Sequence, residues 1–417
     1  MTRSILVGEV RTGRRIATIP VSDASWSQSL KGIGSVDATI PLGAAEFKAR
    51  EMHYTGGLFP SNSLYLSPTT WPREVTTAWR IGQGIRPEFL TMIEPIRCFM
   101  AMVDHDDKTG ADTILEAGPI IPHDIGAGEN KVKVGASGVR YIFDKRRVMA
   151  AIDSGWAAWS VTYSGMSLGT VAKRLVQLSM SIPGGNLPIV LPADLLAVDD
   201  DDHRRTYKGS ELGVVNDRLN QLSSVLGGPD IAFEPRFTSD RLGIEWVMRV
   251  GTEADPMLHQ AGADRVWDLR VPRTSVKGLA ASRDGSGVAM RSWVTGNGQD
   301  AALLIAMKPS STLLDANFPL LEVAESRSTV ESQATADGWA AGNLAASARP
   351  MLTISLSTNA PVGSLRPGDF GLIYPPKDHY LSLLRPDAPY RVRVASMSGG
   401  LDAWTDLKFV AALDGGR

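Results

Sequence analysis

Residues 161–173 read VTYSGMSLGTVAK, and within them Gly165-Met166-Ser167-Leu168-Gly169 is a literal G-x-S-x-G. Between a strand and a helix that pattern is a nucleophile elbow, so its reading decides between a parallel α/β fold and a different architecture. With 41 glycines in 417 residues, the pattern is expected by chance about 0.3 times in a chain of this length. An elbow also needs alternating strands and helices, an oxyanion segment upstream, and an acid and then a histidine downstream. The histidines after Ser167 are His203, His259 and His379, all in polar, turn-like settings, and no HGGG-type segment precedes it. The competing reading uses the same residues: Leu168, Val171, Ala172, Leu175 and Leu178 recur at spacings of three and four, which predicts a helix over 168–180 with Ser167 as its N-cap.

Outward from that helix the periods change. A second helix is expected over 211–226, with Ser210 as N-cap, Leu212, Val215, Leu219 and Leu222 on one face, and Gly227-Gly228-Pro229 as its stop. Residues 231–237 and 243–250 alternate as strands around a TSD turn, making 151–265 a small α+β middle domain. Toward the amino terminus, strands are expected over 5–10, 14–20 and 35–41, then 97–103 and 113–121 around a DHDDKTG turn, with a further pair up to 143. Between them, residues 44–95 carry a Pro-, Thr- and Trp-rich irregular insertion within a unit spanning 1–150. The remaining unit, 266–417, reads as strands with one helix, which opens at the capping box Ser328-Thr329-Val330-Glu331 and runs to Ala348. Alternation at Leu352, Ile354, Leu356 and at Tyr390, Val392, Val394, then a strand over 407–413, closes the chain. The fold class is therefore α+β and β-rich, too few helices remain for an α/β hydrolase, and there is no short tandem repeat.

Composition narrows the function. A chain of 417 residues exceeds one ordinary core. Its formal charge of -2 predicts no general attraction to nucleic acid or anionic membrane. The single Cys98 excludes an intramolecular disulfide and any cysteine-rich metal site. The segment MTRSILVGEVRTGRR has no secretory h-region, and no apolar stretch approaches the roughly 20 residues of a membrane span, so a cytoplasmic product, or one released by lysis, is expected. G-x-G-x-x-G, Walker A, H-E-x-x-H and C-x-x-C patterns are absent. The acidic run Asp199–Asp202 with His203 offers hard-cation ligands without calcium-loop spacing, and reads as a solvated loop neutralised by Arg204 and Arg205. Asp104-His105-Asp106-Asp107 reads as a hairpin tip. Of ten tryptophans, Trp246, Trp293 and Trp404 are expected in the core, and Trp71 and Trp79 on a partner-covering surface. No catalytic, cofactor-binding or metal-ligating residue is assigned, and no cofactor.

Several longer stretches carry a resemblance: LPIVLPAD at 187–194, RTYKGSELGVVNDRLNQLSSVLGGPDIAFEPRF at 205–237, GIEWVMRVG at 243–251, DGSGVAMRSWVTGNG at 284–298, FPLLEVAESRSTVESQATADGWA at 318–340, and LRPGDF at 365–370. In this order they resemble the minor tail proteins of siphophages that infect actinobacteria, over nearly the whole chain except 44–95. Such proteins are similar to the baseplate hub proteins of long-tailed phages. That resemblance implies two β-barrel tube domains of tail-hub type flanking a mixed α+β unit, with strands from later in the chain available to complete the first barrel. It further implies a non-enzymatic virion protein, assembled in the host cytoplasm and placed at the distal tail tip. There it would form a homotrimer ringing the lumen and contact the distal tail or tail tube protein, tip or central fibre proteins and the tape measure protein. DNA would touch it only in transit. The alternatives carried beside this reading are a tail-associated hydrolase using Ser167 and a receptor-binding tail module.

Overall fold

The computed structural model describes residues 2–41, 91–125, 131–195, 203–225, 227–271, 275–298, 300–327, 330–385 and 388–411. The expected insertion therefore lies outside the described residues up to 90, as do the acidic run 199–202, Trp71, Trp79 and the first two residues of the 328–331 capping box.

The amino-terminal third is all strand until its end: β1 (Thr2–Glu9), β2 (Arg15–Ile19), β3 (Asp23–Ser29), β4 (Ser35–Pro41), β5 (Cys98–Asp106), β6 (Ala111–Ile125) and β7 (Lys131–Ser137), then the short helix α1 (Arg140–Asp144). β5 explains why 98–103 reads as an unbroken apolar run. Successive strand residues point to opposite faces, and both faces of β5 are covered. Cys98, Met100 and Met102 enter one core, and Phe99, Ala101 and Val103 enter a second. β1 divides in the same way, with Ile5 and Val7 on one side and Leu6 on the other. At about 1.5–3 kcal/mol for each large apolar side chain buried, these two central strands anchor both layers.

The middle third adds β8 (Ser160–Tyr163), α2 (Leu168–Ser181), β9 (Ile189–Val190), β10 (Arg205–Lys208), α3 (Val215–Ser224), β11 (Ile231–Phe237) and β12 (Ile244–Val250). It packs on the outer face of the amino-terminal sheet: Trp246 is fully buried, meets Phe99 edge-on at 6.1 Å, and donates its indole N–H to the Ala117 carbonyl at 3.0 Å. The α2 helix falls where its periodicity placed it. The second expected helix starts four residues late, because Gly209–Glu211 forms a 3-10 turn and Leu212 adopts a left-handed φ of 45°. Ser210 is thus not its cap, and Leu212 is 58% exposed instead of lying on the apolar face. Arg218 pins that turn by reaching back to Glu211 at 2.6 Å, across the space left open by Gly213.

The last third comprises β13 (Arg265–Asp268), β14 (Val276–Asp284), β15 (Arg291–Thr295), β16 (Ile305–Pro309), β17 (Glu322–Ser326), α4 (Gln333–Ser347), β18 (Met351–Thr358), β19 (Phe370–Tyr374), α5 (Tyr380–Leu384), β20 (Tyr390–Gly399) and β21 (Thr405–Ala411). The cap of α4 is Ser332, whose hydroxyl accepts from Thr335 N–H at 3.2 Å. Two helices, α4 and α5, stand where one was expected. β15, β16 and β17 form a separate sheet whose inner face packs Val294 and Ala306 against Ala336, Trp339 and Ala340 of α4.

Strands from both ends of the chain form one sheet of 13, in the order β14-β18-β21-β20-β3-β4-β7-β6-β5-β1-β2, with β19 and β13 branching from β20. No closed barrel forms among the described residues, since β14 and β2 each end the path. The joint is β20. A register shift between Val394 and Ser396 bends it, so that Tyr390 to Arg393 pair with β19 while Ser396 to Gly399 pair with β3, and β21 follows on the other side.

Candidate functional site

The G-x-S-x-G residues have structural roles. Gly165 takes a left-handed φ of 65°, which ends the strand. Ser167 is 1% exposed; its hydroxyl accepts from Thr170 N–H at 3.2 Å and donates to Thr170 Oγ1 at 3.1 Å. A Cβ on Gly169 would meet the Gly251 carbonyl at 3.0 Å, so this glycine lets α2 approach the end of β12. The three histidines are occupied elsewhere: His203 contacts Glu253 at 2.7 Å, His259 contacts Asp255 at 2.7 Å, and His379 caps α5 by accepting from Leu381 N–H.

The other singled-out residues also resolve. Asp106 closes the hairpin tip by accepting from Lys108 N–H and the Thr109 hydroxyl, and His105 bonds Asp112 at 2.7 Å. Asp104, grouped with that tip in the sequence, instead faces inward. There it meets Arg3 at 3.2 Å, both buried, while the same guanidinium donates to the Gly400 and Trp404 carbonyls and to the Thr405 hydroxyl. This clamp joins the first strand to the last hairpin. A second joins the middle unit to the carboxy-terminal strands: Arg393 pairs with Asp230 and donates to the Leu258 and Gly368 carbonyls. Trp293 and Trp404 are only half-buried, one bonded to Glu322 and the other lying 3.6 Å beneath the Lys277 ammonium; among the described residues the buried tryptophans are Trp26, Trp246, Trp267 and Trp339. Among the described residues, no three His, Cys, Asp or Glu side chains converge as a metal site, and no helix is long and apolar enough to cross a membrane.

What the fold does assemble is a polar sheet face. Residues directly opposed across the strands run Ser137, Ser35, Ser27, Ser398, Asp406, Ser357, Lys277, through β7, β4, β3, β20, β21, β18 and β14. The next rung runs Ser29, Ser396, Lys408, Ser355, Ala280. On the opposite face the intervening Trp26, Val36, Ala136, Met397, Leu407 and Leu356 fill the first core. The two faces follow from alternation alone: DASWSQS, TISLST and ASMSG put a serine or threonine at every second position. The rungs are self-satisfied in places, with Ser27 and Ser35 hydroxyls 2.9 Å apart and Ser357 donating to Asp406. Sequence reading missed this surface, and the S-x-S alternation was the signal that would have found it.

The chain shares its fold with solved tail proteins. The 43 kDa tail protein of prophage MuSo2 from Shewanella oneidensis superposes with a TM-score of 0.51 at 10% identity, covering 98% of each chain. A tail protein from Neisseria meningitidis MC58 superposes with a TM-score of 0.50 at 13% identity, covering 98% of this chain and 97% of the other. No family model matches the sequence, and no curated protein does.

Proposed function

We propose that this chain is a structural hub-type protein of a siphophage tail, placed at the distal tip as a homotrimer, with the serine-rungged sheet face turned toward the lumen. The observation that carries this reading is the rung itself: strands from the amino-terminal and carboxy-terminal units contribute to one continuous face lined by small hydroxyls and opposed charges. A conduit for DNA must not neutralise phosphates, because each Lys or Arg contact adds salt-dependent affinity. Serine side chains do not project, and Asp406 offsets one of the two lysines on the rungs, Lys277 and Lys408, so little positive charge remains for phosphate. In this reading each chain presents two tube domains, within 1–150 and 266–417, so three chains make a pseudo-sixfold ring, and 151–265 buttresses it from outside. Open edges at β14 and β2 are hazardous in a monomer and useful in a ring. The neighbours are the distal tail or tail tube protein, the tip or central fibre proteins and the tape measure protein, and the role is mechanical, without catalysis. Cryo-electron microscopy of intact tail tips tests it: three copies with Ser27 and Ser398 facing the channel are expected, and a peripheral position, or a different face toward the lumen, overturns it.

A further inference from the structure

A cleft of about 400 Å3 opens between β10, the end of α3 and the start of α4. Its floor is apolar, with Leu222, Val330 and Trp339 all buried. One wall carries Arg204 and Arg205, and Arg327 lies opposite, 4.1 Å over the Trp339 ring. Among the described residues the charges are not balanced. Glu331, the acidic residue lining the cleft, is taken by Lys208 at 2.8 Å, and Arg327 is taken by Glu325. Among the described residues Arg204 and Arg205 pair with no carboxylate, and the only hydrogen bond of the Arg205 guanidinium is to the Arg204 carbonyl at 3.0 Å.

An unpaired guanidinium largely withdrawn from water is destabilising, since desolvation is not offset by an opposite charge. Burial accordingly pushes Arg205 below its ordinary pKa. Arginine's planar fork matches a carboxylate in two parallel hydrogen bonds. The hydroxyls of Ser332 and Thr335 line the same cleft.

We propose that the Arg204–Arg205 cleft is a docking site for an acidic peptide segment of a partner protein, with a partner carboxylate bound by Arg205 and partner apolar groups resting against the apolar part of the cleft floor beside Leu222. Charge complementarity commits the occupant to an anion, and the apolar floor favours a peptide over a free oxyanion. The site does not depend on the ring reading and is tested on the isolated full chain. A fluorescein-labelled peptide of alternating aspartate and leucine is titrated by anisotropy against wild type, Arg205→Gln, Arg204→Gln and, as a remote control, Arg283→Gln. Binding is expected to weaken at least tenfold in Arg205→Gln, severalfold in Arg204→Gln and not at all in Arg283→Gln, and to fall with added salt. Arg205→Gln should also melt no lower than wild type, which separates a ligand-serving arginine from a structural one. Absence of peptide binding by the folded wild-type chain, equal binding by Arg205→Gln, or displacement by inorganic phosphate at concentrations below those of the peptide would overturn the proposal.

Discussion

Glu116 is the residue at which burial has its largest consequence. A register shift in β6 places Leu115 between the residues opposing Met102 and Val103, so Glu116 stays opposite Met102 and is buried. Its carboxyl lies against Gly34 and Gly138, where any Cβ would crowd it, and accepts one hydrogen bond, from Ala117 N–H. Burial raises its pKa to about 8 from 4.5. A folded-state pKa above the unfolded one means that the folded chain holds a proton the unfolded chain releases. Stability is therefore lost as pH rises from about 4.5 to about 8 and is constant above, a loss on the order of 3 kcal/mol at neutral pH. Glu116→Gln should flatten that dependence and raise the melting temperature at pH 7.5 but not at pH 4.5; thermal unfolding across this range checks it, and parallel wild-type and variant profiles would refute it. Asp104 gives the opposite case. Asp104→Ala leaves the Arg3 guanidinium buried without its carboxylate, so denaturant unfolding should show a loss of about 3–5 kcal/mol.

At the scale of elements, the sequence was most legible where one strand or helix has one wet face. α2, β11 and β12 sit within a residue or two of their expected bounds, because their periodicity reports burial directly. The misses share a cause. β3 alternates, but its inward residues include Gln28 and its outward ones are serine and aspartate, so β propensity is weak; β14 exposes most of its side chains and is a strand only because β18 pairs with it. The delayed start of α3 depends on Arg218 folding back to Glu211, a contact that no local propensity encodes. For α2, the cap is a prediction: Ser167→Ala should lower stability by about 1 kcal/mol through loss of the Thr170 N–H bond. The same variant should leave any hydrolytic activity of purified tails unchanged, and an ester or cell-wall hydrolysis assay that lost its signal would restore Ser167 as a nucleophile.

At the scale of the molecule, the serine rungs make a prediction about transport. Ser25 and Ser29 are exposed on β3, so Ser25→Arg with Ser29→Arg should be compatible with folding and tail assembly. If the face lines the channel, particles carrying both should eject DNA more slowly, and added salt should restore the rate by weakening phosphate contacts. Bulk dye-release kinetics at two ionic strengths measures this, and unchanged kinetics in assembled particles would place the face elsewhere.

By itself the sequence determined the β-rich class, the α2 and β11–β12 core of the middle unit and the capping role of Ser167, because each is set by neighbours a few positions apart. The tertiary structure alone decided that the two ends of the chain share one sheet. Ser398 opposite Ser27, Arg3 beneath Thr405 and Asp230 against Arg393 join residues with no common period or local signal. Such pairings are selected by burial of the opposite face and by the bend in β20, energies that exist only once the strands have met.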